Sequence, residues 1–150
     1  MLAVTKALRE DKDFSELLSR IEYGGCPLVY SGLGAVHMAA AAAAVRRETG
    51  RTVILICSDE LLAERMRGDV AALTQEEALL LTSREFTFFS ADTVSRRGEQ
   101  ARLQVLHSLS SDSCAVLIAT PDALMQRTLP PKRLSECTFT LKQGASLSIQ

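Results

Sequence analysis

The sequence predicts an α/β fold, a parallel sheet with helices on both faces. Three observations carry this expectation. Short continuous apolar runs such as "VILIC" and "CAVLIA" read as strands covered on both sides. Between them lie stretches whose apolar residues recur at helical spacing. The two patterns alternate along the chain, as crossovers between parallel strands require.

Each element has a local reason. In "DKDFSELLSRIEYGG", Phe14, Leu17, Leu18 and Ile21 fall on one helical face. Asp11 or Asp13 can cap its start, and Gly24-Gly25 ends it. "CPLVYS" (26–31) reads as a buried strand. A helix follows from about Ala35 to Thr49, with Gly50 as its left-handed terminator. "RTVILICS" is a second strand, covered on both faces. Ser58 caps the next helix, where Asp59 and Glu60 sit at the positive end of the dipole.

"EALLLT" is a third strand, followed by an irregular, polar stretch, "SREFTFFSADTVSRRGEQ". A helix from about Ser95 to Leu109 carries Ala101, Val105 and Leu109 on one stripe, with Leu106 beside it. "CAVLIA" is the fourth strand. Thr120-Pro121 gives an N-cap and then proline at the first helical position. "LPPKRL" breaks that helix, and "CTFTLKQGASLSI" alternates like the start of a hairpin around Gln143-Gly144. Residues 1–150 thus read as a single domain, the first piece of a longer protein.

Composition narrows the function classes. The chain is 47% hydrophobic and 23% charged, ordinary values for a soluble globular protein, with a formal net charge of −1. No global basic field draws it to nucleic acid. Apolar runs are too short to span a bilayer, and "MLAVTKALREDKDF" becomes charged too early for a signal peptide. Cytoplasmic residence is the expectation. Cys26, Cys57, Cys114 and Cys137 lie far apart, which points to reduced thiols; His37 and His107 offer no zinc-ligand spacing.

"VYSGLGAVHMAAAAAA" (29–44) is the segment with most to say about chemistry. A strand that breaks at glycine and turns into a helix is how a phosphate loop is built, and such a loop reads G-x-x-x-x-G-K-[ST]. Anchored on Gly32, the register puts His37, Met38 and Ala39 at the glycine, lysine and hydroxyl positions. Anchored on Gly34, it puts Ala39, Ala40 and Ala41 there. There is no lysine between Lys12 and Lys132. Bare amides at a helix tip contribute roughly 0.3–1 kcal/mol to an anion, whereas millimolar binding needs about 4 kcal/mol. The alternative is a simple strand-to-helix turn whose small residues pack on the sheet.

Other polar residues give weaker signals. Arg96, Arg97 and Arg102 form the densest cationic group, fit either for DNA phosphates and a partner domain or for a solvated helix face. His37 has no carboxylate nearby in sequence to make it a general base. Asp59 and Glu60 resemble an acidic pair, but their place at a helix start suits the dipole.

Taken together, the segments resemble a known family. "VILICSDELLAERM" and "VLIATPDALMQRTLPP" are similar, in the right order, to two strand-helix elements of superfamily 2 helicases. Read with "DFSELL", "SGLGAV…RRETGR", "SRRGEQARLQVLHSL" and "TFTLKQGASLSI", the whole chain resembles the N-terminus of the bacterial transcription-repair coupling factors (the Mfd family). That region is UvrB-like, a RecA-like helicase half domain with its ATPase motifs worn away. Where the family has "AGLSGSA-K/R-S", this chain has "SGLGAVHMA". Gly32 and Leu33 match; Ala35 replaces the second glycine, Met38 the basic residue and Ala39 the small one.

The resemblance implies a noncatalytic scaffold with a vestigial loop (Gly32, Leu33, Gly34, Ala35, His37, Met38, Ala39) and no cofactor or metal of its own. The full-length protein would be an ATP-dependent DNA translocase that displaces stalled RNA polymerase and recruits nucleotide-excision repair. Its ATP and Mg²⁺ would be bound elsewhere. UvrA would dock on an inserted domain that follows, and RNA polymerase and double-stranded DNA on C-terminal regions. The competing expectation is a small nucleotide- or phosphate-binding enzyme domain completed by residues beyond 150.

Overall fold

The computed structural model describes residues 7, 8, 10–25, 27–84, 96–111, 113–140 and 144. Along them run α1 (Lys12–Tyr23), α2 (Ala35–Thr49), β1 (Val53–Ile56), α3 (Glu60–Thr74) and β2 (Ala78–Leu81). There follow α4 (Arg97–Ser110), β3 (Val116–Ala119), α5 (Pro121–Met125) and α6 (Pro131–Cys137). The three strands form one parallel sheet in the order β1-β3-β2. The α/β class is as the sequence predicts.

Local chemistry explains the boundaries. The Asp11 carboxylate accepts the Phe14 N–H at 2.8 Å and starts α1, and Gly24 ends it at φ 86°. Gly50 closes α2 in the same left-handed conformation. Thr120 caps α5, with Pro121 in its first turn. Two expectations need correcting here. Asp59, not Ser58, caps α3: its carboxylate takes the Leu62 N–H at 2.8 Å, and the Ser58 hydroxyl donates to that same carboxylate. "LPPKRL" does follow the end of α5, but the hairpin expected to start at Cys137 does not begin there. Proline suits a first helical turn, so Pro131 opens α6, and Cys137 ends that helix instead of starting a strand.

A further correction concerns "CPLVYS". Among the described residues, Leu28–Ser31 belongs to no strand, and Val29 is 95% exposed. The run is apolar enough for a strand, but no ladder partner meets it. The stretch 85–95 lies outside the described residues, as does most of the hairpin expected around Gln143–Gly144.

Two layers of helix sandwich the sheet. On one face, Ala39 of α2 and Ala63, Met66 and Val70 of α3 pack with Val116, Ile118 and Ala78. On the other, Val105 of α4 and Ala123 of α5 pack with Leu81, Leu117 and Ala119. The alanine run is what lets α2 lie close. Ala39, Ala40, Ala42, Ala43 and Ala44 are all buried, and α2 packs mainly on α3. Coverage is incomplete at one place. Ile54 and Ile56 of β1 project on the α4/α5 face yet remain 54% and 63% exposed, so β1 is not buried on both faces as expected.

Among the described residues no helix is long and apolar enough to cross a membrane. The tight α2–α3 contact has a measurable consequence. Ala39→Leu inserts a large side chain at a fully buried position and is expected to cost about 1–3 kcal/mol. Val36→Ala, at a position 62% exposed, is expected to change stability little; urea unfolding distinguishes the two.

Candidate functional site

Ligands of open parallel sheets bind beyond the carboxyl ends of the strands, where helices on opposite faces diverge. Here Ile56, Ala119 and Leu81 end at one level in the paired register. The residues that leave this edge are Cys57-Ser58-Asp59, Thr82-Ser83-Arg84 and Thr120. The loop before α2 is the second place to look.

At that loop Gly32 adopts φ 85°, a conformation open to glycine, and Gly34 stands as the N-cap of α2 with no side-chain hydrogen bond. The first turn of α2 contains no acidic residue, and the Met38 N–H is already committed to the Gly34 carbonyl. Val36, His37 and Met38 are exposed; Leu33 and Ala35 are half-buried, and Ala39 is in the core. What this helix start offers an anion is a few amide donors and a partial charge. Because Leu28–Ser31 forms no strand, the loop also lacks the rigid support on which a phosphate loop is normally hung.

The carboxylates at the sheet edge are committed locally. Asp59 caps α3, and that backbone hydrogen bond, followed by the one from Ser58, holds its carboxyl below the usual range. Glu60 accepts the Ser83 hydroxyl at 2.5 Å, joining the start of α3 to the exit of β2. Among the described residues no group of three or more His, Cys, Asp or Glu side chains is placed to hold a metal ion.

The arginine cluster divides. Arg96 and Arg97 are exposed at the start of α4. Arg102, expected as a surface contact, is 3% exposed and is corrected to an interior clamp. Its guanidinium donates to the carbonyls of Thr82 (2.8 Å), Ala123 (2.9 Å) and Gln126 (3.5 Å), while Nε finds no partner. Burial, followed by the neighbouring Arg84, lowers its pKa from the ordinary arginine value. Gln126 completes the junction by accepting the Arg84 N–H at 2.7 Å and donating to the Arg84 carbonyl at 3.4 Å. The exit of β2 is thereby tied to α5. Spacing carried a signal for this, since 102, 105, 106 and 109 follow the helical stripe. For Gln126 the sequence held none.

Among the described residues two thiols lie in the interior. Cys57 and Cys114 are buried, and burial pushes both up from the usual thiol value. A groove of about 470 Å³ between α1 and Pro27–Ser31 is lined by Asp13, Leu17, Arg20, Leu28 and Tyr30. Its arginine is paired with Glu16 at 2.7 Å. Burial, then Asp11 and Asp13, raises the Tyr30 phenol from its ordinary value. No family model, curated protein or solved structure matches the chain.

Arg102→Met keeps an unbranched apolar stem, removes the guanidinium and strands three carbonyls. Urea unfolding is expected to show a loss of about 1–3 kcal/mol, against little change for Arg96→Ala. A second expectation follows from the cap. The folded value of Asp59 lies below its unfolded value, so its contribution is present above about pH 4 and is lost as pH falls through the lowered folded value. Asp59→Ala is expected to lower the urea midpoint at pH 7, and the gap to the parent chain should close on acidification below pH 4.

Proposed function

We propose that the chain is a noncatalytic scaffold and interaction domain, the UvrB-like N-terminal piece of a transcription-repair coupling factor. One observation supports this above the others. The letters before α2 have the outline of a phosphate loop, yet Met38 and Ala39 stand where a lysine and a magnesium-binding hydroxyl would be needed. Asp59 and Glu60, which resemble an acidic pair in sequence, are spent on capping α3 and on Ser83. A motor's framework is kept without its chemistry. In this reading the complete protein binds ATP and Mg²⁺ elsewhere and translocates on double-stranded DNA. It would displace stalled RNA polymerase and engage UvrA through a domain that follows this one.

The open amides at the start of α2 favour a second reading, a nucleotide- or phosphate-binding domain completed from outside residues 1–150. Titration calorimetry with ATP and Mg²⁺ separates the two. The scaffold gives no saturable heat up to millimolar ligand, and a micromolar dissociation constant overturns it. The double substitution His37→Gly with Met38→Lys is expected to leave the chain without ATP hydrolysis in a phosphate-release assay. Turnover by that variant would mean that an acidic residue completes the site.

A further inference from the structure

The outer edge of β2 has a definite backbone pattern. The Val53 N–H donates to Ala115 and the Cys57 N–H to Ala119, so residues 115, 117 and 119 face β1. Val116 and Ile118 then face β2. In a slanted parallel ladder each residue bonds to the two neighbours of its register partner. Val116 and Ile118 stand in register with Ala78 and Leu80, so their bonds go to residues 77, 79 and 81. Ala78, Leu80 and Thr82 therefore turn N–H and C=O outward. Among the described residues nothing meets the Ala78 and Leu80 N–H groups, while the Thr82 carbonyl takes Arg102.

A groove of about 550 Å³ follows this edge, with β2 as its floor, Glu64 and Arg67 of α3 as one wall and Gln104 and His107 of α4 as the other. Leu79 and Leu80 in the floor are only half-buried. Edge strands are usually guarded by a charge or a proline within the strand, and "ALLL" has neither. Its charges stand at the two ends instead: Glu76 and Glu77 come before it and Arg84 after it. Arg46 touches one Glu76 oxygen at 3.6 Å. Among the described residues no carboxylate pairs with Arg84, whose nearest charged neighbour is the buried Arg102.

We infer that β2 is a self-pairing edge, where two copies of the chain join antiparallel about a two-fold axis at Leu80 into one continuous sheet. A two-fold axis normal to a sheet makes the joined strands antiparallel. The register centred on Leu80 sets Leu80 against Leu80 of the partner subunit. It sets Ala78 against Thr82 of the partner subunit, whose carbonyl keeps a second lone pair beside Arg102. Each outward amide thereby finds an acceptor. The same register lays Glu76 across from Arg84 of the partner subunit, and symmetry repeats that contact. A parallel copy would instead bring Glu76 against Glu76 of the partner subunit, so the chain's own ends choose the direction. The walls agree: Glu64 and Arg67 neutralise one another within α3, and the α4 wall holds no carboxylate, lysine or arginine. Because β2 has only four residues, the dimer falls at the small, weak end of a range that begins near ~1,200 Å². Self-pairing uses no residue at the start of α2, so it stands apart from the scaffold reading.

Sedimentation velocity of the 150-residue chain, from about 10 µM to about 1 mM, is expected to show a monomer that gives way to a dimer. Glu76→Arg or Arg84→Glu alone sets like charges across the axis and should weaken the dimer about tenfold or more, and the two together should restore it. Both positions are exposed, so the monomer's urea midpoint should move little. Amide hydrogen exchange supplies a second reading. The Leu80 amide should exchange freely in dilute chain and become protected as concentration rises, with Leu79 and Leu81 protected throughout. A chain that stays monomeric at every concentration overturns the inference. So does a dimer indifferent to both single substitutions, which would join through another surface. Leu80 protection already complete in the dilute monomer overturns it too, since the edge would then be covered within one chain.

Discussion

Among the described residues β3 is the one strand with both edges paired, and all four of its residues are buried. Its ladders fix β1 and β2 in register, and its two faces receive both helical layers. Ile118 packs under α3 while Leu117 and Ala119 pack under α4 and α5. Even the polar surroundings report to it. The Thr52 hydroxyl donates to the Cys114 carbonyl just before the strand, and Thr120 caps α5 just after it. Burying a peptide run this completely requires every backbone group to be met, and parallel pairing on both sides does so.

Elements with a local cause were legible in the sequence. Asp11, Gly24, Gly50 and Thr120-Pro121 act within a turn of where they stand, so boundaries could be read from them directly. The runs at Val53, Ala78 and Val116 are strands because continuous apolar chain has few other places to go. Misreadings occurred where a neighbour in space decides. "CPLVYS" has a strand's composition, but pairing needs a partner edge that sequence does not reveal. Ser58 and Asp59 are both good caps, and the contest was settled by which oxygen reached the Leu62 amide. Pro131 reads as a breaker and serves as a starter, since a missing N–H is harmless in a first turn.

The candidate site shows the same division. That the α2 start has no lysine or hydroxyl is a property of letters, and it was readable at once. The role of Arg102 is not. An arginine among charged residues looks like surface until its stripe is followed to Val105 and Leu109, and its acceptors are three carbonyls in two separate segments, the exit of β2 and α5 with its C-cap. A carbonyl is available at every residue, so no composition marks those positions. Likewise, Glu60 looked like half of an acidic pair and is a bracket between α3 and β2.

The alanine run in α2 bears on how such a domain can age. The start of α2 can change its letters with little penalty, because Val36, His37 and Met38 are all exposed. One turn later that freedom stops, for from Ala39 to Ala44 nearly every side chain lies against another element. Substitution is therefore cheap at the mouth of the helix and costly along its body, so one helix joins a permissive end to an intolerant one.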